Sequence, residues 1–323
     1  MTFRPGQHVG PYVIEGLLGS GGMASVWRAW DEKRSQQVAI KIMADPLSDE
    51  EQLAGRFMDE VKRHKRLSHP NIVALREVFS VAGQPCMVMD LARGGSLAAL
   101  LDACPERRLP FERALPIMSG VLAALDHAHR QGMVHRDVKP SNVLLDGTRT
   151  HALLSDFGIA LAAGEKRRTR AGLPVGTSAY MSPEQIRASR EIDYRSDVYS
   201  AGCVLYEMLT GRPPFVAEGP QSVDDNAARA AVLAMHLRDT PLAPRRRAPS
   251  VPAHVSALIL RALEKDAGRR IPGCAEFARL LAAPPERFAR GTWRRPARVG
   301  AIAAIAAIVA VAVIGAMVVA SGA

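Results

Sequence analysis

The stretch MVHRDVKPSNVLLDGTRTHALLSDFG, Met133 to Gly158, decides how the chain is read. His135, Arg136 and Asp137 form a basic-acidic cluster five residues before Asn142, and a second acid, Asp156, stands between a short apolar run and Phe157-Gly158. Asn142 to Leu145 and Ala152 to Ser155 read as short strands, with the acids, Lys139 and Asn142 spaced along them. Two carboxylates, an ammonium and an amide suit phosphoryl transfer, which needs a group to orient a hydroxyl and oxygens to hold Mg²⁺ against nucleotide phosphates.

Upstream, Phe111 to Gln131 has the period of a buried helix, with Ala114, Ile117, Val121, Leu122, Leu125 and Ala128 inward. Nearer the start, a strand over Tyr12 to Leu18 runs into Gly19-Ser20-Gly21-Gly22-Met23-Ala24-Ser25-Val26. Glycines there let two strands turn tightly and bring backbone N–H groups close to phosphate oxygens. Val26 to Trp30 returns as a second strand, and Val38 to Lys41 forms a third. Leu53 to Leu67 is predicted helical, with Phe57, Val61 and Leu67 on one face and Glu60 among its charges. Leu75 to Phe79 and Cys86 to Asp90 are two more strands around the Gly83 turn. A hinge at Asp90 to Ala92 leads through Ser96 into a helical half beginning at Leu97.

In this order the motifs resemble the eukaryotic-type Ser/Thr protein kinases, bacterial branch, over about residues 12–282. The resemblance implies an α+β, two-lobed fold: a sheet-rich N-lobe over 12–91 and a mostly helical C-lobe over 95–282, with ATP and Mg²⁺ in the cleft. It assigns Asp137 to orienting and deprotonating the acceptor hydroxyl, Lys139 to neutralising the transferring phosphate, and Asn142 and Asp156 to holding Mg²⁺. Lys41 then bridges the α and β phosphates and pairs with Glu60. Leu18, Gly19, Ser20, Gly21, Gly22, Met23, Ala24, Ser25 and Val26 cover the nucleotide. Ala39, Met89 and Leu144 line the adenine pocket, and the backbone of Asp90 to Ala92 bonds to adenine. Ala24 replaces the third glycine of the family's loop, and its methyl should stiffen the tip. Lys139-Pro140 matches the Ser/Thr-specific branch.

Ile159 to Glu184 corresponds to the activation segment of such kinases. Lys166, Arg167, Arg168 and Arg170 surround Thr169, the expected autophosphorylation site, and Arg136 is the basic group that would receive its phosphate. Thr177 resembles the substrate-positioning threonine, and Ser178 stands where many animal kinases have proline. Asp197 would hold the catalytic-loop backbone, and Arg270 would pair with Glu184. Ala267 replaces the usual proline of the closing motif. Ala217 to Arg229 reads as a surface insertion; Val255 to Leu263 and Cys274 to Leu281 read as helices.

An apolar content of 48% excludes a disordered chain. The net charge of +10 is concentrated in local knots rather than in a stripe with aromatics, which are only 5%, so no specific nucleic-acid partner is expected. Cys86, Cys104, Cys203 and Cys274 make no metal-ligand spacing and read as reduced thiols. Residues 1–11 read as a polar lead-in with no signal peptide. Val299 to Ala323 has no charged residue, enough at about 1.5 Å per residue to cross a hydrocarbon core of roughly 30 Å. The expectation is a transmembrane helix over 299–320, a short outer tail at 321–323, and a basic linker over 283–298. The arginines of 286–298 would meet anionic lipid, keeping the kinase domain cytoplasmic at the cell membrane. Protein substrates with Ser/Thr acceptors and a possible homodimer complete the expected partners. Rival readings are a kinase-like scaffold without catalysis and a small-molecule or lipid kinase.

Overall fold

The computed structural model describes residues 3–21, 24–43, 61, 64–81, 83–157, 178–189, 191–217 and 225–284. Residues 1–282 group as one unit and 283–323 as a second, of which only 283 and 284 are described.

The first half is an antiparallel sheet in the order β1-β2-β3-β4-β6-β5. Its strands are β1 His8–Val9, β2 Tyr12–Ser20, β3 Ala24–Asp31, β4 Gln36–Met43, β5 Leu75–Val81 and β6 Gln84–Asp90. Alternation along each strand divides the apolar residues between two clusters. Val38, Ile40 and Ile42 of β4 and Cys86 and Val88 of β6 join Tyr12, Ile14 and Trp27 in one. Met43, Met87 and Met89 join Val61, Val73 and Leu75 in the other. Lys41 therefore falls in the same parity as Met43, and a slip of one residue would drive its ammonium into the first core.

Residues 3–11 contribute more than a polar lead-in. His8 and Val9 pair with Val13 and Tyr12, while Phe3 and Val9 are buried in the first cluster. Phe3 meets Trp27 edge-on at 6.3 Å between ring centroids, an arrangement aromatic quadrupoles favour. Pro5, Gly6 and Gly10 make the segment look irregular, but Gly6 N–H donates to the Ile14 carbonyl at 2.8 Å and fastens it to β2.

The second half is helical: α1 Leu97–Asp102, α2 Phe111–Arg130, α3 Pro183–Ile186, α4 Arg195–Thr210, α5 Asp225–Arg238, α6 Pro244–Arg247, α7 Ala253–Ala262 and α8 Cys274–Leu281. Helix α4 is buried over almost its whole length and forms the centre of this half. The surface insertion expected at Ala217 to Arg229 is shorter than that. Asp225 already begins α5, and 218–224 lie outside the described residues. Acidic and amide residues at that end hid the helix start. No helix among the described residues is long and apolar enough to cross a membrane, and 299–320 lie outside them.

Between the halves, the linker is fastened to a hairpin of β7 Val143–Leu145 and β8 Ala152–Leu154. Gly94 N–H donates to Leu145 O at 2.9 Å, and Leu145 N–H to Gly95 O at 2.8 Å. A Cβ on Gly94 would lie 2.0 Å from the Asp146 carbonyl, so only glycine fits there without backbone movement. Gly94→Ala should lower stability by about 1–3 kcal/mol, the usual cost of overpacking, and loosen the linker. A thermal unfolding midpoint equal to the wild type would show that the close approach relaxes freely.

Candidate active site

The site is built on the loop between α2 and β7. Asn142 ends a 3₁₀ turn, Pro140–Asn142, and its Nδ2 donates to Asp137 O at 2.8 Å and to Asp137 Oδ2 at 3.0 Å. The same carboxylate oxygen accepts from Lys139 Nζ at 2.9 Å. Asp137, Lys139 and Asn142 are thus one hydrogen-bonded group. Both amide N–H bonds of Asn142 are directed at Asp137, which leaves its Oδ1 as the acceptor face. Ser155 returns to this turn from β8: its N–H and its hydroxyl donate to Asn142 O at 2.9 and 3.0 Å.

Asp156 follows with φ of 62°, the left-handed region that is costly for a residue with a side chain. Its Oδ1 accepts from Lys41 Nζ at 2.6 Å, joining the sheet to the hairpin segment. Burial alone would raise the Asp156 pKa, but the Lys41 ammonium outweighs it and holds the carboxyl below its ordinary value. The donor set suits Mg²⁺: an amide oxygen and a carboxylate are both hard ligands. No group of three or more His, Cys, Asp or Glu able to hold a metal occurs among the described residues. A cation here would therefore depend on phosphate oxygens to complete its shell, as Mg²⁺ does in nucleotide sites.

Ala24, Met89 and Leu144 meet in one apolar cluster with Val73 and Leu75. Ala39 pairs with Met89 across β4 and β6, and Val26 pairs with Lys41 across β3 and β4. Leu18 is half-exposed, Gly19 faces Val26, and Ser20 faces Ser25 across the first hairpin. The turn is closed by Gly21 N–H donating to Ala24 O at 2.9 Å. Asp90 forms an ion pair with Arg76, and its N–H donates to Ala74 O at 3.1 Å; Ala92 is half-buried in the linker. Gly22, Met23, Glu60, Thr169 and Thr177 lie outside the described residues.

Asp197, fully buried in the first turn of α4, accepts from three donors: His135 N–H at 2.8 Å and His129 Nε2 at 2.7 Å on Oδ2, and Arg136 N–H at 2.8 Å on Oδ1. Arg136 has φ of 65°, a conformation this clamp imposes. Glu184 and Arg270 form a two-point ion pair at 2.6 and 2.7 Å, with the Arg270 side chain fully buried.

Sequence reasoning missed several members. His129 completes the Asp197 clamp, and Gln185 donates through Nε2 to Arg136 O at 2.6 Å. Gln185 also closes the capping box of α3, the one local signal that marked it. Ser196 donates to Glu184 at 2.7 Å. His135 donates to Ser155 O at 2.8 Å and accepts from Asp137 N–H at 3.2 Å, while its ring packs on Phe157 at 4.6 Å.

Residues 12–279 match the protein kinase domain family. The chain is 37% identical over 288 residues to serine/threonine-protein kinase PknJ of Mycobacterium tuberculosis, an alignment covering 88% of this chain and 47% of that protein. It is 38% identical over 281 residues to PknA of Corynebacterium glutamicum, covering 84% and 56% respectively. The crystal structure of the M. tuberculosis PknI kinase domain aligns with a TM-score of 0.66 at 26% identity, covering 87% of this chain and 98% of that one. The chain spans about two fifths to just over half the length of the curated relatives it matches. Together with the two-lobed fold, these matches place the chain in the protein kinase domain family, beside the bacterial serine/threonine kinases of eukaryotic type.

Proposed function

We propose that the chain transfers the γ-phosphate of ATP to Ser and Thr hydroxyls of proteins. The observation that carries this reading is the pair of hydrogen-bonded groups, Asp137 with Lys139 and Asn142, and Asp156 with Lys41, joined through Ser155, which precedes Asp156 and donates to the Asn142 carbonyl. Asp137 is positioned to orient the acceptor hydroxyl and take its proton, with the carboxylate held in one rotamer by Lys139 and Asn142. The Lys139 and Lys41 ammonium groups offset charge on the phosphates, Lys41 alongside the Glu60 pairing drawn from the resemblance. Asn142 and Asp156 would hold Mg²⁺, which when bound neutralises phosphate charge. Leu18, the Gly-rich turn, Ala39, Met89, Leu144 and the backbone of Asp90 to Ala92 would enclose adenine.

Phosphate on Thr169 would be received by Arg136, the basic residue beside Asp137. Thr177 would position the acceptor beside Asp137. The uncharged run from Val299 and the preceding arginines support a single membrane anchor with the kinase domain on the cytoplasmic side, the basic linker lying on anionic lipid and a homodimer being compatible with it.

Asp137→Asn should lower phosphorylation of Ser/Thr protein substrates by about 10²–10⁴-fold, the usual contribution of a positioned base. Activity retained at the wild-type level, assayed with γ-labelled ATP, would remove Asp137 from that role. Phosphosite mapping of the active full chain should find Thr169 modified, and an active chain unmodified there would reject the activation scheme. On fractionation the full chain should sediment with membranes and resist salt extraction; complete recovery in the soluble fraction would reject the anchor.

A further inference from the structure

Lys265 lies in the loop after α7, and its ammonium rests on neutral groups. Its Nζ donates to Met235 O at 3.3 Å and to the Tyr199 hydroxyl at 3.4 Å. It also lies over the Phe215 ring, 4.3 Å from the centroid, and the Tyr199 ring at 5.8 Å. A cation over an aromatic face is held by the ring quadrupole, most strongly where water is excluded. One ammonium therefore ties together α4, the loop after it and the last turn of α5.

His236, next to Met235, completes the cluster. Its ring meets Phe215 edge-on at 4.8 Å, its Nδ1 is 2.8 Å from the Tyr199 hydroxyl, and the Ala179 backbone acts on the same ring. Phe215 also joins Ser178, Ala179, Pro213, Val216 and Val232 around an almost wholly apolar cavity of about 230 Å³. The two residues that follow Thr177 thus share a cavity wall with Phe215 and α5, the parts that Lys265 holds together.

Burial lowers the Lys265 pKa to about 8; Asp239 and Glu264 favour the charged amine, Arg270 opposes it, and Cys203 also faces it. Burial holds the Cys203 thiol and the Tyr199 phenol well above their ordinary values and brings His236 down to about 3, so these three stay neutral from pH 7 to 9. Lys265 itself changes charge within that interval. The neutral amine forfeits the attraction to Phe215 and weakens the bond to the Met235 carbonyl.

We propose that Lys265 is a positioning residue for the protein substrate: its ammonium holds Phe215 and α5 against Ser178 and Ala179, and so sets how tightly the acceptor protein binds. This rests on the kinase reading above.

The test uses the full chain in detergent, comparing wild type with Lys265→Met and Lys265→Arg at pH 7 and pH 9. KM and kcat are measured for the best acceptor found on a Ser/Thr peptide array, together with KM for ATP. Hydrogen exchange at pH 7 is followed over residues 211–217 and 225–238. A desolvated cation–π contact is worth roughly three- to thirtyfold in an equilibrium. At pH 7 Lys265→Met should raise the peptide KM by about threefold or more on that scale, leave kcat and the ATP KM within about twofold, and speed exchange over both segments. Lys265→Arg stays charged and should keep the wild-type peptide KM at pH 7. Between pH 7 and 9 the wild-type KM should move toward that of Lys265→Met, while the ratio of the Arg to the Met variant holds steady. An unchanged peptide KM in Lys265→Met, a loss of kcat instead, or a wild-type-to-Met ratio that does not move with pH would overturn the proposal. Absence of phosphate transfer by every form would count against the kinase reading. Exchange would still decide whether Lys265 holds Phe215 and α5, and equal exchange in wild type and Lys265→Met would overturn that too.

Discussion

The carboxylate of Asp197 is the constraint on which the rest of the site depends. It is wholly buried, and burial alone would raise its pKa; the hydrogen bond and charge of His129 pull the other way and prevail, leaving it below the ordinary carboxylate value. A folded-state pKa below the unfolded one means that this group stabilises the protein above its unfolded pKa, and that the contribution is lost as pH falls through the folded value. Its position in the first turn of α4 adds the favourable field of a helix N-terminus. In return it receives the backbone N–H groups of both His135 and Arg136. Two consecutive amides directed at one side chain force the loop to turn, and the positive φ of Arg136 is the visible cost.

From that turn the other parts follow by short steps. Arg136 presents its carbonyl to Gln185, tying the loop to the segment after 178, and Asp137 is left beside Lys139 and Asn142. Asn142 O accepts both donors of Ser155, which fixes the strand that ends at Asp156. Asp156 reaches Lys41 and so couples the helical half to the sheet. The buried Glu184–Arg270 pair supports the same region from the far side of α4, through Ser196 and the Arg195 carbonyl. Each link is a charged or polar group with a partner, which is how buried polar groups are tolerated.

Much of this was legible in the residues. The strands that carry Lys41 and Met89 were readable as apolar runs, while the places of these two residues in the site came only from the resemblance; the last helix was readable over Cys274–Leu281, where α8 lies. The acids and amide of 133–158 stood out by type and spacing, and the structure brings Asp137 and Asn142 together. His129, by contrast, sits on a helix whose apolar face was the only periodic signal, and nothing local pairs it with a carboxylate 68 residues away. His64 falls between Val61 and Leu67 at helical spacing, so its face was readable, but a histidine there looks like a surface residue. Phe3 and Val9 were hidden by the turn-forming residues around them. Long-range partners and irregular backbone are what a period cannot encode.

Asp197 sets the turn at His135 and Arg136 from which Asp137 projects. Asp197→Asn preserves shape but removes the charge and leaves one acceptor oxygen, so that its NH₂ group faces either the His135 or the Arg136 amide as a second donor. The phosphorylation rate at saturating Mg·ATP should fall by about 10²-fold, as expected for a misplaced reactive group, while nucleotide affinity and far-ultraviolet circular dichroism stay near the wild type. A rate equal to the wild type in a folded Asp197→Asn chain would contradict the account.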